Sequence, residues 1–162
     1  MNNAHYHLFL NHLPIIFPLA GLLVLLAGLI MKSEIVQRTA YAVLIAGSLL
    51  TIPAYTTGEG AEEVIENIAG VDEKIIETHE EKAEVFAVLS YILGAAALLG
   101  LWASVKGKSF AGSLTYVVVA LAAVTLFFAK QTGTTGGEIR HPEIRQGFVA
   151  PPENSELEKE SD

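Results

Sequence analysis

Four charge-free stretches, each long enough to cross a bilayer as a helix, restrict this chain to very few folds. Crossing roughly 30 Å of hydrocarbon takes about 20 helical residues. Leu13 to Met31 (LPIIFPLAGLLVLLAGLIM) meets that length, inside an N-terminal region with no Asp, Glu, Lys or Arg before Lys32. The other windows lie between Arg38 and Glu59, between Glu84 and Lys106, and between Lys108 and Lys130. Charge is correspondingly segregated. The chain has 162 residues, a formal net charge of −8 and a positive mean hydropathy. Of its 18 acidic residues, ten fall between Glu59 and Glu84, seven from Glu138 onward, and one is Glu34.

The expected fold class is all-α: an integral membrane four-helix bundle with spans at about 13–31, 39–57, 85–105 and 109–129, arranged as two tandem helical hairpins. The first span has no basic n-region, exceeds the ~7 to 15 apolar residues of a signal peptide and lacks a small-x-small cleavage site, so it is read as retained. Short loops rich in Lys and Arg stay cytoplasmic. The loops after spans one and three carry Lys32, Arg38, Lys106 and Lys108, whereas the loop after span two sets Lys74 and Lys82 against ten carboxylates. Both termini and the acidic loop are therefore expected outside.

The acidic loop, 59–84, is itself patterned. Val64, Ile65, Ile68, Val71, Ile75, His79, Lys82 and Phe86 recur at steps near three and four, which predicts amphipathic helix over 60–69 and from 72 onward, interrupted at Gly70. The second piece should run directly into span three, with Ile75, His79, Ala83, Phe86, Ser90 and Leu93 looking inward. The remaining organisation is an outer N-terminal segment (1–12), a membrane domain (13–133), a Gly-rich exit segment (134–149) and a polar tail (150–162) expected to be disordered.

With no cysteine, the chain has no disulfide, thiolate metal site, covalent c-type haem or cysteine nucleophile. It has no basic stripe, and its negative charge opposes a nucleic-acid partner. No ionisable residue lies inside any span, which argues against an ion pathway. No nucleophile, base and oxyanion arrangement is recognisable, so no catalytic residue is assigned.

The topology places all five histidines, His5, His7, His12, His79 and His141, on the outer side. Histidine collects at interfaces simply because it is amphipathic. It is also a common transition-metal ligand and a frequent axial ligand of haem iron, and helix bundles hold cofactors between facing helices. His12 stands beside Pro14 at the mouth of span one, and His79 lies on the inward stripe before span three. They are the leading pair of axial ligands for a b-type haem, with His7 as alternate and His5 and His141 behind. Depth tempers the choice. His79 precedes Val85 by six positions, roughly 9 Å above the hydrocarbon edge, while His12 sits at that edge, so His5 or His7 could pair better with it.

Spans two and four each end in a threonine-glycine cluster, Thr56-Thr57-Gly58-Glu59-Gly60 and Thr132-Gly133-Thr134-Thr135-Gly136-Gly137. That internal similarity suggests tandem hairpins, and glycine backbone there could approach a flat ligand closely. Gly21, Gly28, Gly94 and Gly100 read as helix-packing positions. Pro14, Pro18 and Pro53 start or kink helices. Asn11 reads as an N-cap or interfacial polar residue. Arg140 and Arg145 could meet a propionate or a lipid phosphate, or simply be solvated.

The opening His7-Leu8-Phe9-Leu10-Asn11-His12-Leu13-Pro14 has the form H-x4-H-x-P at the entry to a first span. Together with Thr78-His79-Glu80 before span three and the Gly-rich exit after span four, it resembles a family of bacterial four-span membrane proteins, domain of unknown function 2231. The resemblance covers roughly residues 5 to 145, with Leu8 and Leu13 where the family form has proline and phenylalanine. It implies a four-helix bundle in the bacterial inner membrane with haem or redox association. The leading expectation is thus a membrane haem-binding or redox-linked electron-transfer subunit. Two alternatives stand beside it: a non-catalytic assembly subunit docking a protein partner through the acidic loop, and a divalent-metal site built from histidines with Glu80 or Glu81.

Overall fold

The computed structural model describes residues 2–65 and 73–150 and contains no strand among them. Its elements are α1 (Asn3–Leu10), α2 (Leu13–Ile30), α3 (Glu34–Ile65), α4 (Glu73–Val105), α5 (Ala111–Arg140) and a 3-10 turn at Pro142–Ile144. Four helices are long and apolar enough to cross a membrane, with α1 and α2 forming one nearly continuous run of 28 residues. The break between those two follows from Pro14, which has no N–H for the Leu10 carbonyl. Pro14 then sits in the first turn of α2, where a missing donor costs little.

The two short basic turns share one geometry. At the end of α2 the Ser33 N–H donates to Gly28 O (2.9 Å) and Lys32 takes a left-handed φ of 52°. At the end of α4 the Lys108 N–H donates to Ala103 O (2.9 Å), with Gly107 at φ 59°. Both are Schellman closures, which satisfy the last helical carbonyls within a reversal of a few residues.

Helix α2 packs against α3, α3 against α4, α4 against α5, and α5 back against α2, while α1 lies on the C-terminal half of α3, away from the basic turns. The shared core is Leu25, Tyr41, Leu44, Leu93, Ala97, Val118 and Ala122. Small residues bring the backbones together: a Cβ at Gly28 would stand 2.9 Å from the Gln37 backbone nitrogen, and Gly94 lies against Ser48. Buried hydroxyls cross the helix pairs. Tyr41 OH meets Thr115 Oγ1 at 2.8 Å, Thr51 Oγ1 meets Ser90 Oγ at 2.8 Å, and Thr132 Oγ1 donates to Lys82 O at 3.0 Å. At the end with the basic turns Arg38 clamps α4, its Nε donating to Ser104 Oγ and its Nη2 to Ser104 O, both at 2.9 Å. Large apolar side chains such as Leu19, Leu23, Leu49, Leu98, Val117 and Phe127 point outward instead. A belt of that size on a water-soluble monomer would be far beyond the usual exposed patch.

The structure departs from the sequence expectation at the outer ends. Helix α3 does not stop at the first threonine-glycine cluster but continues unbroken to Ile65; α4, as expected, begins at Glu73 and runs straight into the third apolar window. On that helix Ile76, Phe86, Ser90 and Leu93 are buried, while Ile75, His79 and Ala83 are half-buried. The interruption expected at Gly70 lies outside the described residues, as does the tail of 150–162 except Ala150. Helix α5 also continues past 129, through the Gly-rich run to Arg140. Glycine costs about 1 kcal/mol relative to Ala in a helix; packing on α4, through Thr132 and Gly136, offsets that cost here.

Candidate functional site

The threonine-glycine clusters make helical turns with an exposed carbonyl, and each turn holds one histidine. In a helix the Cβ tilts toward the N-terminus, so the side chain at i+4 shields the carbonyl at i. Gly58 and Gly136 have no side chain, which opens the carbonyls of Ala54 and Thr132. His7 on α1 approaches the first, with Nδ1 3.0 Å from Ala54 O and 3.5 Å from Thr57 Oγ1. His79 on α4 approaches the second cluster, with Nδ1 3.1 Å from Thr135 Oγ1. Both rings lie on their glycine: a Cβ at Gly58 would be 3.5 Å from His7 Cε1, and one at Gly136 only 2.9 Å from His79 Cε1. The glycines expected to approach a flat ligand thus approach the imidazoles themselves.

Hydrogen bonding sets the tautomer of both rings. The Ala54 oxygen can only accept, so His7 Nδ1 carries the proton. The single Thr135 hydroxyl proton has two carbonyls within reach, Gln131 O (3.2 Å) and Thr132 O (3.1 Å); with the proton on either one, the oxygen accepts from His79 Nδ1–H. Each ring therefore keeps an unprotonated Nε2, and neither Nε2 has a hydrogen-bond partner among the described residues. Donation of the far ring nitrogen to a carbonyl or hydroxyl is the usual second contact of a metal-bound histidine, because it orients the ring and raises its basicity.

Both histidines lie outside the segments read as spans, and burial pushes both below the usual histidine pKa. For His7 the Ala54 carbonyl opposes the shift and His12 adds to it. For His79 the charge of His7 lowers the value further and the Thr132 carbonyl opposes. The two histidines, on α1 and α4, thus stand at the end of the bundle opposite the basic turns, each with its charged form disfavoured.

Asn11 adds a third polar group. It is the C-cap of α1, its N–H donating to His7 O, which places it one turn below His7 on the same face. Its Oδ1 is buried with no hydrogen-bond partner. An unpaired buried acceptor costs about 1–3 kcal/mol, so its retention needs a reason.

The other histidines are placed differently. His12 occupies the position before α2, exposed and making no side-chain cap bond. His5 is exposed, and His141 ends α5 with Nδ1 2.7 Å from Glu143 Oε1. Arg145 donates to Glu138 O (2.8 Å) and Ile139 O (3.3 Å), closing the end of α5, and Arg140 is exposed. Glu80 and Glu81 are exposed and do not join the histidines; no group of three or more His, Cys, Asp or Glu able to hold a metal ion occurs among the described residues. The Glu80 carboxyl, together with burial, instead pushes the pKa of Glu62 up.

Pro14 draws attention to His12, yet a different signal is also in the sequence. His7 precedes Leu13 by six positions and His79 precedes Val85 by six, so these two stand at equal heights above their spans. Comparison of the chain with protein families, with curated proteins and with solved structures returns no match.

Proposed function

We propose that this is an integral membrane protein whose outer histidines, His7 and His79, would hold a non-covalently bound b-type haem, as a redox-linked subunit without catalytic machinery of its own. The observation that carries the reading is the repeated cradle: Ala54-Thr57-Gly58 and Thr132-Thr135-Gly136 each hold one imidazole by Nδ1, and neither Nε2 has a hydrogen-bond partner among the described residues. Ligand number favours haem over a bare divalent ion. A closed or catalytic zinc site takes three or four protein ligands, whereas haem iron asks the protein for two and takes the rest from the macrocycle. When bound, the haem would supply a one-electron couple. Asn11 Oδ1 offers an acceptor beside the pair. His12, with Pro14 beside it, is replaced in this reading by His7 as the partner of His79.

The apolar belt and the four helices support insertion in a membrane, and the basic turns at Lys32–Arg38 and Lys106–Lys108 support placing both termini outside. Kinship with the four-span family of unknown function belongs to the same proposal, with the bacterial inner membrane as location. Reporter fusions at Ser33 and Lys106 should read as cytoplasmic and one at Gly60 as exported; the reverse would invert the site.

The ligand test is an absorption spectrum of the purified protein, oxidised and reduced, with iron quantified on the same sample. His7→Ala and His79→Ala should abolish the spectrum, while His5→Ala, His12→Ala and His141→Ala retain it. Loss on His12→Ala with His7→Ala intact would overturn the pairing. A colourless, iron-free protein after expression with ample haem would remove the cofactor. It would leave the partner-docking subunit, which the crowded carboxylates of the outer rim, Glu62 against Glu80, favour as the second reading.

A further inference from the structure

A cleft of about 240 Å³ opens between α4 and α5 just outside the apolar windows, with Lys82 and Lys130 on its walls. Thr132 Oγ1 donates to the Lys82 carbonyl, so Lys82 is level with the turn of α5 that begins at Lys130. Lys82 precedes Val85 by three residues and Lys130 follows directly on Ala129. In a bilayer that covers the apolar windows, both ammonium groups would stand at the depth of the lipid phosphates. Neither lysine forms an ion pair with any described residue, although the outer half of the chain is rich in carboxylates. Phe127 lines the membrane end of the cleft, roughly 4.5 Å deeper than Lys130, and is 62% exposed. Gln131 and Thr134 line it higher up. Glu138 stands two turns beyond Lys130, roughly 12 Å further out.

We infer that this cleft is a headgroup site for an anionic glycerophospholipid, with Lys82 and Lys130 meeting the phosphate and Phe127 the start of an acyl chain. The inference rests on the membrane reading above but not on the haem. Cationic heads above an apolar wall form the complement of such a lipid, and basic pockets between membrane helices recognise anionic headgroups in this way. Isolated lysines at helix ends snorkel to water one by one. Here two of them share one cleft, on a surface where the other signed groups are mostly acidic. Arg140 and Arg145, the sequence candidates for a lipid phosphate, are an exposed residue and a helix-closing one.

The test uses the full chain, purified in detergent and delipidated. Native mass spectrometry and thermal unfolding are followed during titration with phosphatidylglycerol, phosphatidylcholine or inorganic phosphate. One phosphatidylglycerol should be retained and should raise the unfolding temperature, phosphatidylcholine should do so at least tenfold more weakly, and inorganic phosphate should neither bind nor compete. The double variant Lys82→Gln/Lys130→Gln should lose the preference, and Lys82→Arg/Lys130→Arg, which keeps both charges, should restore it if the glutamine variant folds poorly. Equal retention of the two lipids, or an unchanged preference in the glutamine variant, would overturn the proposal. Competition by millimolar inorganic phosphate would show a free-anion site instead and overturn it too. Loss of haem absorbance in the glutamine variant with lipid preference intact would assign the lysines to the cofactor. Failure of the chain to insert in membranes would defeat the shared premise, whereas insertion without lipid preference defeats only this inference.

Discussion

Gly136→Ala and Gly58→Ala make the same chemical change at equivalent points of the two cradles, and the geometry predicts opposite signs. At Gly136 the new methyl would stand 2.9 Å from Cε1, 3.3 Å from Nδ1 and 3.5 Å from Nε2 of His79. Carbon contacts settle at about 3.5–4.0 Å, so the ring must retreat by roughly 0.6–1 Å. That retreat breaks the 3.1 Å bond from Nδ1 to Thr135 Oγ1. Overpacking costs about 1–3 kcal/mol and the lost hydrogen bond about 0.5–1.5 kcal/mol, while Ala in place of Gly returns about 1 kcal/mol of helix propensity. The net is a destabilisation of about 0.5–3.5 kcal/mol. At Gly58 the methyl would be 3.5 Å from His7 Cε1, an ordinary contact. There the propensity gain stands alone, and stability should be unchanged or higher by up to about 1 kcal/mol. Reversible unfolding of both variants in one detergent reads the signs directly. Equal effects at the two positions would refute the account of how the rings are seated.

Two further outcomes follow from the hydrogen bonds. Thr135→Val should free His79 Nδ1 and cost about 0.5–1.5 kcal/mol, whereas Thr57→Val should cost under about 0.5 kcal/mol, because His7 keeps the Ala54 carbonyl at 3.0 Å and has Thr57 only at 3.5 Å; histidine side-chain nitrogen NMR with unfolding measurements checks this, and equal losses would contradict it. Both histidines have folded pKa values below the unfolded value of about 6.5, so between the two values the unfolded chain binds more protons. Stability should therefore fall as pH drops from above 6.5 through the folded pKa values. A His7→Gln/His79→Gln variant isolates that contribution from the carboxylates, and a pH profile with the same slope as the unsubstituted chain would count against the shifts.

Much of the architecture is written in charge placement. The apolar windows are legible because one charged side chain inside hydrocarbon is costly, and their ends are marked by Lys32, Arg38, Lys106, Lys108 and Lys130. The inward stripe of α4 through Phe86, Ser90 and Leu93 is legible because burial on a helix follows a step of three or four. The outer ends are harder to read. Thr132 to Gly137 has the composition of a loop, and only the neighbouring helix makes it helical, through contacts from Lys82 and His79 that no local window contains. The same holds for the pairing of histidines. Pro14 is a local cue that singles out His12, while the partners of His7 are Ala54 and Thr57, about 50 residues away in sequence. Asn11 reads as an N-cap or interfacial polar residue in the sequence, but it is the C-cap of α1, and its unpaired buried oxygen is a property of the packed bundle.

The two imidazoles are carried on stiff rods rather than on loops: one on α1 seated against α3, the other within α4 braced by α5. The Thr51–Ser90 hydroxyl contact pins α3 to α4, and Thr57 lies six residues further out, a lever arm of roughly 9 Å. Rotation about that pin by roughly 6° carries the outer end through about 1 Å, a quarter of the ~4 Å that separates two nitrogens bound across one metal. The ring-to-ring gap is therefore a mechanical gauge of the angle between the helix pairs. Any change in the tilt of the helices, or a load on the acidic end of α3 and α4, would register there as a change in the distance between the two rings.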